Sequence, residues 1–364
     1  MLERFKVPEA DRVYVMPEKM HRVTKDIFLK IGLDEDGAQD STDVLLGNDL
    51  RGNESHGVSN GLRGYVRSYA AGQLNPTTEW EIVRETSTTA NIDAKDALGT
   101  HVGPTAMEMA IEKAQQHGVG VVTVYNTGHL AGCSHYVYQA IEAGMIGHTM
   151  TAGGAGITIP TWGSRPFLGT NPIAYGAPAR TMPPYMLDVA TTQVAANKIW
   201  LLRRTGATVL PGWITDENYE PQLEEQPAPG PETRGKYGML PIGGTRENGS
   251  HKGFGLGLMN EIMCNELTGL GPGPLNPHQG GHFFVAYDIE AFTDREKFLD
   301  DMDELLKAVA EHPPGKGHDR VVYPGLLEAE EIEKRSKDGI PYHTEVIEWF
   351  EGHCAEVGVE CDLR

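Results

Sequence analysis

The sequence of 364 residues lacks the features that mark several protein classes. Its four cysteines form no CxxC pair and no zinc-like spacing, which argues against a disulfide framework and a structural zinc site. No run approaches the roughly 18 apolar residues that span a bilayer, and the first residues carry no apolar signal-peptide stretch. We therefore expect a cytoplasmic protein without a membrane partner.

Basic residues are also scarce. There are 31 Lys and Arg against 51 Asp and Glu, which gives a formal net charge of -20. Such a charge repels a phosphate backbone, and no basic stripe interleaved with aromatic residues offsets it locally, so nucleic acid is excluded as a partner. A small anionic ligand would need a local basic pocket.

Common nucleotide and metal motifs are missing as well. The run Gly253 to Gly257 begins a GxGxxG pattern, but Leu258 occupies the place of the third glycine, so a Rossmann site is not supported. Neither a Walker loop nor HExxH occurs. His278 and His282 stand four residues apart, but Pro277 argues against the helix that would align them, so we expect no metal.

The residues that are present indicate an α/β protein. Hydrophobic residues make up 39% and charged residues 23%, which is typical of a globular protein, and the length favours two domains. Apolar residues at three- and four-residue spacing predict helices, and short β-branched segments predict strands. The predicted helices cover 26–31, 34–50, 57–69, 135–143, 190–204, 253–268, 295–311 and 343–356; the predicted strands cover 119–125, 145–151, 172–177, 185–189 and 321–323.

Alternation of helices and strands places an α/β domain at 79–290. Residues 1–78 form the first part of a helical domain, and residues 291–364 are expected to pack back on it. Residues 223–236 have no apolar periodicity and are predicted to form an exposed loop.

Ser55-His56-Gly57 lies where one predicted helix ends and another begins. Histidine has an ordinary pKa of about 6.5, so it exchanges a proton near neutral pH, and a hydroxyl group precedes it here. His56 is therefore a candidate acid/base residue. A surface or core histidine is the alternative reading of the same tripeptide.

Three further segments place polar groups or glycines at a junction between a strand and a helix. The turn from Asn126 to Cys133 could receive a pyrophosphate, or its glycines merely permit the turn and His129 caps a helix. Asp188 follows an apolar segment and either contacts a ligand or caps a helix beginning at Ala190. His251-Lys252 precedes a glycine-rich helix start that suits a phosphate or carboxylate, or is simply solvated.

Taken in order along the chain, these segments resemble the malate/L-lactate dehydrogenase-like family, which is distinct from the Rossmann-type dehydrogenases. The resemblance is carried by the segments at 50–58, 126–129, 169–174, 187–191, 212–216, 251–256, 281–284 and 324–325. It implies a non-Rossmann NAD(P)-binding α/β domain, a helical domain built from the N- and C-terminal parts, and a homodimer. It also implies hydride transfer between NAD or NADP and a 2-hydroxy or 2-oxo acid.

The resemblance also implies roles for individual residues. His56 resembles the general acid/base, Ser55 its hydroxyl partner, and His129 a competing proton acceptor. The expected cofactor contacts are His129, Leu130, Ala131, Gly132, Cys133, Asp188, Val189, Ala190, His251, Lys252, Arg320, Pro324 and Gly325. The expected substrate contacts are Arg51, Asn60 and Thr170.

The sequence departs from this family at two cationic positions. Asn60 stands where many members have arginine, and Ala196 stands where they have a second one. Because an amide or methyl group does not replace a bidentate guanidinium, an ordinary small 2-oxo acid such as pyruvate or oxaloacetate becomes less suitable as the substrate. Arg51, Arg63 or Lys198 could compensate, or the substrate is larger or less acidic. A cyclic imine reductase and a catalytically silent binding protein remain alternatives.

Overall fold

The computed structural model describes residues 3–77, 79–154, 156–233, 235–276 and 280–364. The helices within these residues are α1 (Pro17–Ile31), α2 (Glu35–Leu50), α3 (Leu62–Ala70), α4 (Gly99–His117), α5 (Ser134–Glu142), α6 (Ala196–Thr205), α7 (Ser250–Glu261), α8 (Arg295–Ala310), α9 (Leu326–Asp338) and α10 (Thr344–Val357). A π-helical segment, Ile262–Glu266, continues α7.

A seven-stranded mixed sheet forms the centre of the molecule, which confirms the predicted α/β class. Its strands are β2 (Glu81–Glu85), β3 (Thr89–Ala97), β4 (Val119–Thr127), β5 (Ile146–Gly153), β6 (Ile173–Ala177), β7 (Tyr185–Val189) and β10 (Gly280–Tyr287), in the order β2-β3-β4-β10-β5-β6-β7. Only the pairing of β3 with β4 is parallel. The remaining strands are β1 (Arg12–Val15), β8 (Thr208–Val209), β9 (Gln226–Pro227) and β11 (Ile340–His343).

Both faces of the sheet are covered. Successive side chains of a strand point to opposite faces, and β10 shows this alternation. Phe284 belongs to the main core together with Tyr136 of α5, and their rings meet edge to face at 5.4 Å. Phe283 and Val285 instead pack with Cys264 of the π-helical segment. The central strands are therefore buried on both sides, as their apolar sequences predict.

The two ends of the chain meet away from the large sheet. Strands β1 and β11 pair in antiparallel fashion, from Arg12 with His343 to Val15 with Ile340. Residues of α1, α2 and α10 contribute to the main hydrophobic core. The limits proposed above for the two domains remain a prediction.

Several sequence-based elements differ from the structure, and the helices α4 and α9 and the strands β2, β3 and β10 were not predicted. The helix expected from 190 begins only at Ala196, because residues 190–195 form bends and irregular chain rather than a helix. Residues 321–323 form no described strand, and the short strand of this region is β11 instead. The third helix begins at Leu62 rather than at Gly57, since the intervening residues form turns.

Candidate active site

His56 lies in the turn between α2 and α3, and local hydrogen bonds fix that turn. The backbone N–H of His56 donates to Asn53 O at 2.8 Å. The buried Ser55 places its Oγ 2.8 Å from His56 Nδ1. The structure thus joins the two residues that the motif suggested.

Asp49, near the end of α2, accepts hydrogen bonds that fix the same turn. Its Oδ2 accepts from Val58 N and from the hydroxyl of Tyr342, each at 2.9 Å. A Cβ atom at Gly57 would lie 1.8 Å from Asp49 Oδ1, so only glycine permits this approach. Burial raises the pKa of the Asp49 carboxyl to about 8.

Arg335 of α9 connects this turn to the C-terminal part of the chain. Its Nη1 donates to Asp49 O and to Glu54 Oε1, both at 2.7 Å, and its Nε donates to Glu331 at 2.7 Å. The side chains of Arg335 and Glu54 are 5% and 6% exposed. Such a buried pair costs a large desolvation free energy if either partner is removed.

His129 follows β4, and its ring lies opposite that of His56. The two ring centroids are 6.0 Å apart with an interplanar angle of 21°. The backbone N–H of Ala131 lies 3.3 Å from His129 Nδ1, and the Tyr65 hydroxyl lies 2.7 Å from the same atom. Because a backbone N–H can only donate, Nδ1 of neutral His129 is an acceptor and its proton resides on Nε2.

Desolvation controls the charge of both histidines. It lowers the pKa of His56 to about 3, with smaller contributions from His129 and Lys198. It also lowers the pKa of His129 below its ordinary value. At neutral pH both imidazoles are therefore neutral, and His56 is ready to accept a proton.

Three adjoining cavities surround the two histidines. An inner cavity of about 260 Å³ has Ser55 and His56 in its wall, and a central cavity of about 270 Å³ lies between His56 and His129. An outer cavity of about 300 Å³ lies beyond His129 and includes Tyr65. Since the cavities share wall residues, they form one cleft, whose central part lies at the ends of β4, β5 and β10.

Several predicted site residues meet in this cleft. The inner cavity is lined by Ala131, Gly132, Cys133, Asp188, Val189 and Ala190, and Thr170 lines both the inner and the central cavity. Asp188 accepts from Ser134 N at 2.8 Å, at the start of α5. Asp188 therefore caps a helix 54 residues away, and the predicted cap of a helix at Ala190 is wrong because no helix begins there.

Other predicted residues lie outside the walls of the three cavities. The Arg51 guanidinium lies 4.2 Å from the centre of the Tyr138 ring, and Asn60 accepts from Arg204 at 3.1 Å. His251 and Lys252 are exposed in the first turn of α7, and Arg320 pairs with Glu330. Leu130 is fully buried, and Pro324 and Gly325 lie beside β7, where Pro324 O accepts from Met186 N at 3.0 Å.

Sequence reasoning did not identify Asp49, Tyr65 or Arg335 as parts of the site. Asp49 and Tyr65 lie in predicted helices whose apolar pattern indicates only packing, and Arg335 lies in α9, which was not predicted. Each has a partner distant in the chain. Tyr65 was assigned to the apolar stripe of a helix, and it is indeed buried. The hydroxyl group on this buried apolar stripe is the one feature of the sequence that could have indicated a role for Tyr65, because a buried polar group needs a hydrogen-bond partner.

Two histidines, His278 and His282, were considered above as metal ligands. His282 lies between Thr151 Oγ1 at 2.8 Å and Gly128 O at 3.1 Å. His278 lies outside the described residues. Across the described ranges, no three His, Cys, Asp or Glu side chains group as metal ligands. No helix in the described part of the chain has the length and apolar character needed to cross a bilayer.

The inner cavity suits the nicotinamide end of a dinucleotide. A planar ring that carries an amide needs an apolar wall together with hydrogen-bonding groups. Val189, Val194 and Ile242 provide apolar surface there, and Thr192 and Gln193 provide polar groups. The neighbouring central cavity leaves room for a small second reactant beside the ring.

Comparison with known proteins gives consistent results. The sequence model of the malate/L-lactate dehydrogenase family matches residues 15–351. The chain is 33% identical to malate dehydrogenase of Pyrococcus abyssi (strain GE5 / Orsay) over 99% of both chains. It is 30% identical to L-sulfolactate dehydrogenase of Methanothermobacter thermautotrophicus (strain Delta H), over 96% of this chain and 99% of that protein. The solved malate dehydrogenase of Pyrococcus horikoshii OT3 superposes with a TM-score of 0.88, at 30% identity over all of both chains.

Proposed function

Because the chain belongs to the malate/L-lactate dehydrogenase family, we propose that it transfers a hydride between a nicotinamide cofactor and a 2-hydroxy or 2-oxo acid, with His56 as general acid/base. Family membership makes the chain an oxidoreductase, and the resemblance predicted from its motifs is confirmed. The bound cofactor would supply or accept the hydride at C4 of its nicotinamide. The remaining chemistry is the movement of one proton by the protein.

His56 is suited to that proton transfer in both directions. In oxidation of an alcohol, the hydroxyl proton moves to His56 Nε2 while Nδ1–H donates to Ser55 Oγ, 2.8 Å away. In reduction, the imidazolium returns the proton to the new alkoxide oxygen. Positioned acid/base catalysis of this kind contributes roughly a hundredfold to ten-thousandfold in rate.

His129 is the competing candidate, and its hydrogen bonds favour a different role. The donation from Ala131 N occupies Nδ1 and leaves the proton on Nε2. Neutral His129 is then a hydrogen-bond donor at Nε2, and its one acceptor nitrogen, Nδ1, is already occupied. The hydrogen bond from Ala131 N to His129 Nδ1 is the observation on which both assignments rest. It favours His56 as the base and His129 as a donor that polarises the substrate oxygen.

The residues proposed to hold the cofactor divide into two sets. Ala131 to Cys133 and Asp188 to Ala190 line the inner cavity and would surround the nicotinamide. His251 and Lys252, at the start of α7, and the segment from Arg320 to Gly325 lie farther along the surface. We propose that this second set contacts the remainder of NAD or NADP.

The decisive experiment compares His56→Asn and His129→Asn with the wild type. Purified protein is first screened with hydroxy acids, sugar-derived ketones and cyclic imines, using both NAD and NADP in both redox states, by nicotinamide absorbance. We expect His56→Asn to lower kcat/KM by roughly a hundredfold or more, with the Kd of NADH unchanged in a fluorescence titration. A larger loss of kcat/KM in His129→Asn, with little change in His56→Asn, would reverse the assignment.

Imine reduction is a second candidate because it uses the same proton donor. In the described residues that line the cleft there is no guanidinium group, which suits a reactant less acidic than a dicarboxylate. The substrate screen separates the two reactions directly: a cyclic imine turned over faster than any 2-oxo acid would favour imine reduction.

We further propose that the protein is a homodimer. Helix α7 exposes Leu256, Leu258 and Met259, and the segment that continues it exposes Ile262 and Leu267. A group of exposed apolar side chains on one stretch of the chain usually marks a protein interface. Light scattering after size-exclusion chromatography should give a dimer for the wild type and a smaller species for Ile262→Glu; a monomeric wild type would contradict the proposal.

A further inference from the structure

Lys198, in the first turn of α6, provides a positive charge in the wall of the inner cavity. It lines that cavity together with Ser55 and His56. Its Nζ lies 5.2 Å from the centre of the Phe5 ring and forms no ion pair within 4 Å with any residue in the described ranges. Burial lowers the pKa of the ammonium group below its ordinary value, and the negative charge of Asp188, which lines the same cavity, only partly opposes this shift.

The other cationic side chains near the cleft interact with residues outside it. Arg51 lies over Tyr138, and Arg204 pairs with Glu345 at 3.2 Å and donates to Asn60. Across the described walls of the three cavities, Lys198 is the only lysine or arginine. At neutral pH it therefore supplies the only full positive charge that these walls offer to a reactant.

Two acidic residues also line the cleft, one in the same cavity as Lys198 and one in the outer cavity. Asp188 lines the inner cavity, where its Oδ2 accepts from Ser134 N, and Asp96 lines the outer cavity. A second carboxylate on a reactant would be desolvated near these groups without a cation to pair with it. Burying an unpaired charge is strongly unfavourable.

We propose that Lys198 binds the carboxylate of the reactant and that the site takes a monocarboxylate rather than a dicarboxylate. This inference rests on the proposed hydride-transfer function and specifies its substrate class. The inner and central cavities share His56 and Thr170 in their walls, so a reactant in the central cavity can extend its carboxylate past His56 to Lys198 while its C2 oxygen stays near the His56 ring. The substrates named for the relatives described above, malate and sulfolactate, carry two acidic groups, so this chain would differ from them.

A phosphate of the cofactor is the other anion that Lys198 could bind. The experiment therefore measures substrate and cofactor separately. The variant is Lys198→Met, which keeps the length of the side chain and removes its charge, and Lys198→Arg keeps the charge. Lys307→Met, an exposed lysine of α8, is the matched control.

The substrates are three four-carbon compounds: 2-hydroxybutanoate, its dicarboxylate counterpart malate, and its uncharged counterpart 2-hydroxybutanamide. We expect the wild type to show a higher kcat/KM with 2-hydroxybutanoate than with malate. Lys198→Met should raise KM for 2-hydroxybutanoate by about tenfold to a hundredfold, the usual effect of losing a charge-assisted hydrogen bond, and leave KM for the amide within twofold. Lys198→Arg should restore most of the loss, and Lys307→Met should behave as the wild type.

Two results would overturn the proposal. The first is a wild-type preference for malate over 2-hydroxybutanoate. The second is a tenfold rise in the Kd of NADH or NADPH in Lys198→Met with the same KM change for acid and amide, since that pattern assigns Lys198 to a cofactor phosphate. Because Lys198 is only half-buried and Lys198→Met keeps the length of the side chain, the Tm of the variant should stay close to that of the wild type, which separates loss of binding from loss of folding.

Failure of the proposed function gives a different pattern. If no hydroxy acid, 2-oxo acid or imine is turned over, hydride transfer is refuted, and calorimetry with oxamate, an unreactive monocarboxylate, still tests Lys198. Binding of oxamate to the wild type with NADH that is lost in Lys198→Met would support the assignment. Equal affinity of both proteins for oxamate, or no binding to either, would refute it.

Discussion

Replacing Asp49 by asparagine should make the stability of the protein less dependent on pH. Asp49 is fully buried beneath the His56 turn, and burial raises the pKa of its carboxyl from 3.8 to about 8. Glu54 adds to this rise, while Val58 N, Tyr342 and Arg335 oppose it. Asparagine resembles the protonated carboxyl, and its oxygen can still accept from Val58 N and the Tyr342 hydroxyl.

The sign and size of the effect follow from proton linkage. Between about pH 4 and pH 8 the unfolded chain has released this proton while the folded chain retains it. The wild type therefore loses stability as pH rises through this window, by at most about 1.4 kcal/mol per pH unit. Asp49→Asn lacks this contribution, so its free energy of unfolding relative to the wild type should increase steadily from pH 5 to pH 8.

Urea unfolding at pH 5, 6, 7 and 8 measures the difference directly. Any constant cost of the new amide N–H groups, about 1–3 kcal/mol if they stay unpaired, shifts all four values equally and leaves the slope unchanged. Asp319→Asn, at an exposed position, controls for the loss of one negative charge. A difference between Asp49→Asn and the wild type that is constant from pH 5 to pH 8 would refute the assignment of a buried, protonated Asp49.

Three further predictions concern the same region. Arg335→Met should lower the free energy of unfolding by roughly 3–5 kcal/mol because it leaves Glu54 buried without a partner, and the double variant with Glu54→Gln should recover much of the loss; calorimetry checks both, and no recovery would contradict the pairing. Tyr65→Phe should lower kcat more than it raises KM, since Tyr65 orients His129; an unchanged kcat in steady-state assays would contradict this role. The acid limb of kcat/KM for alcohol oxidation should lie well below pH 6.5, because the pKa of His56 is about 3 and the neutral form accepts the proton; a limb near 6.5 in a pH–rate profile would exclude so strongly desolvated a base.

Much of the fold could be predicted from the sequence because local patterns agree with the final structure. The strand from Tyr185 to Val189 was predicted at its exact limits, and the helices at 134–142 and 295–310 were found within a residue or two. The helix predicted from 190 was wrong in its first half. The apolar residues of this half line a cavity and do not form a helix face. The spacing of apolar residues is the same in both cases, so it does not distinguish them.

Sequence reasoning predicted part of the candidate site for a similar reason. Ser55, His56 and His129 were identified because a local motif brings each hydroxyl or ring to a break in secondary structure. Asp49 with Tyr342, and Glu54 with Arg335, were not identified because their partners are 293 and 281 residues apart. No local pattern records such a pairing.

The sequence by itself therefore determined the α/β class, the absence of a dinucleotide glycine fingerprint, and the family to which the motifs belong. These properties follow from the order of residues along the chain. Only the tertiary structure decided which candidates share one cleft, which histidine nitrogen accepts from a backbone N–H, and which cation lines that cleft. Those properties depend on distances between distant segments and on the removal of water around them, and both arise only when the chain is packed.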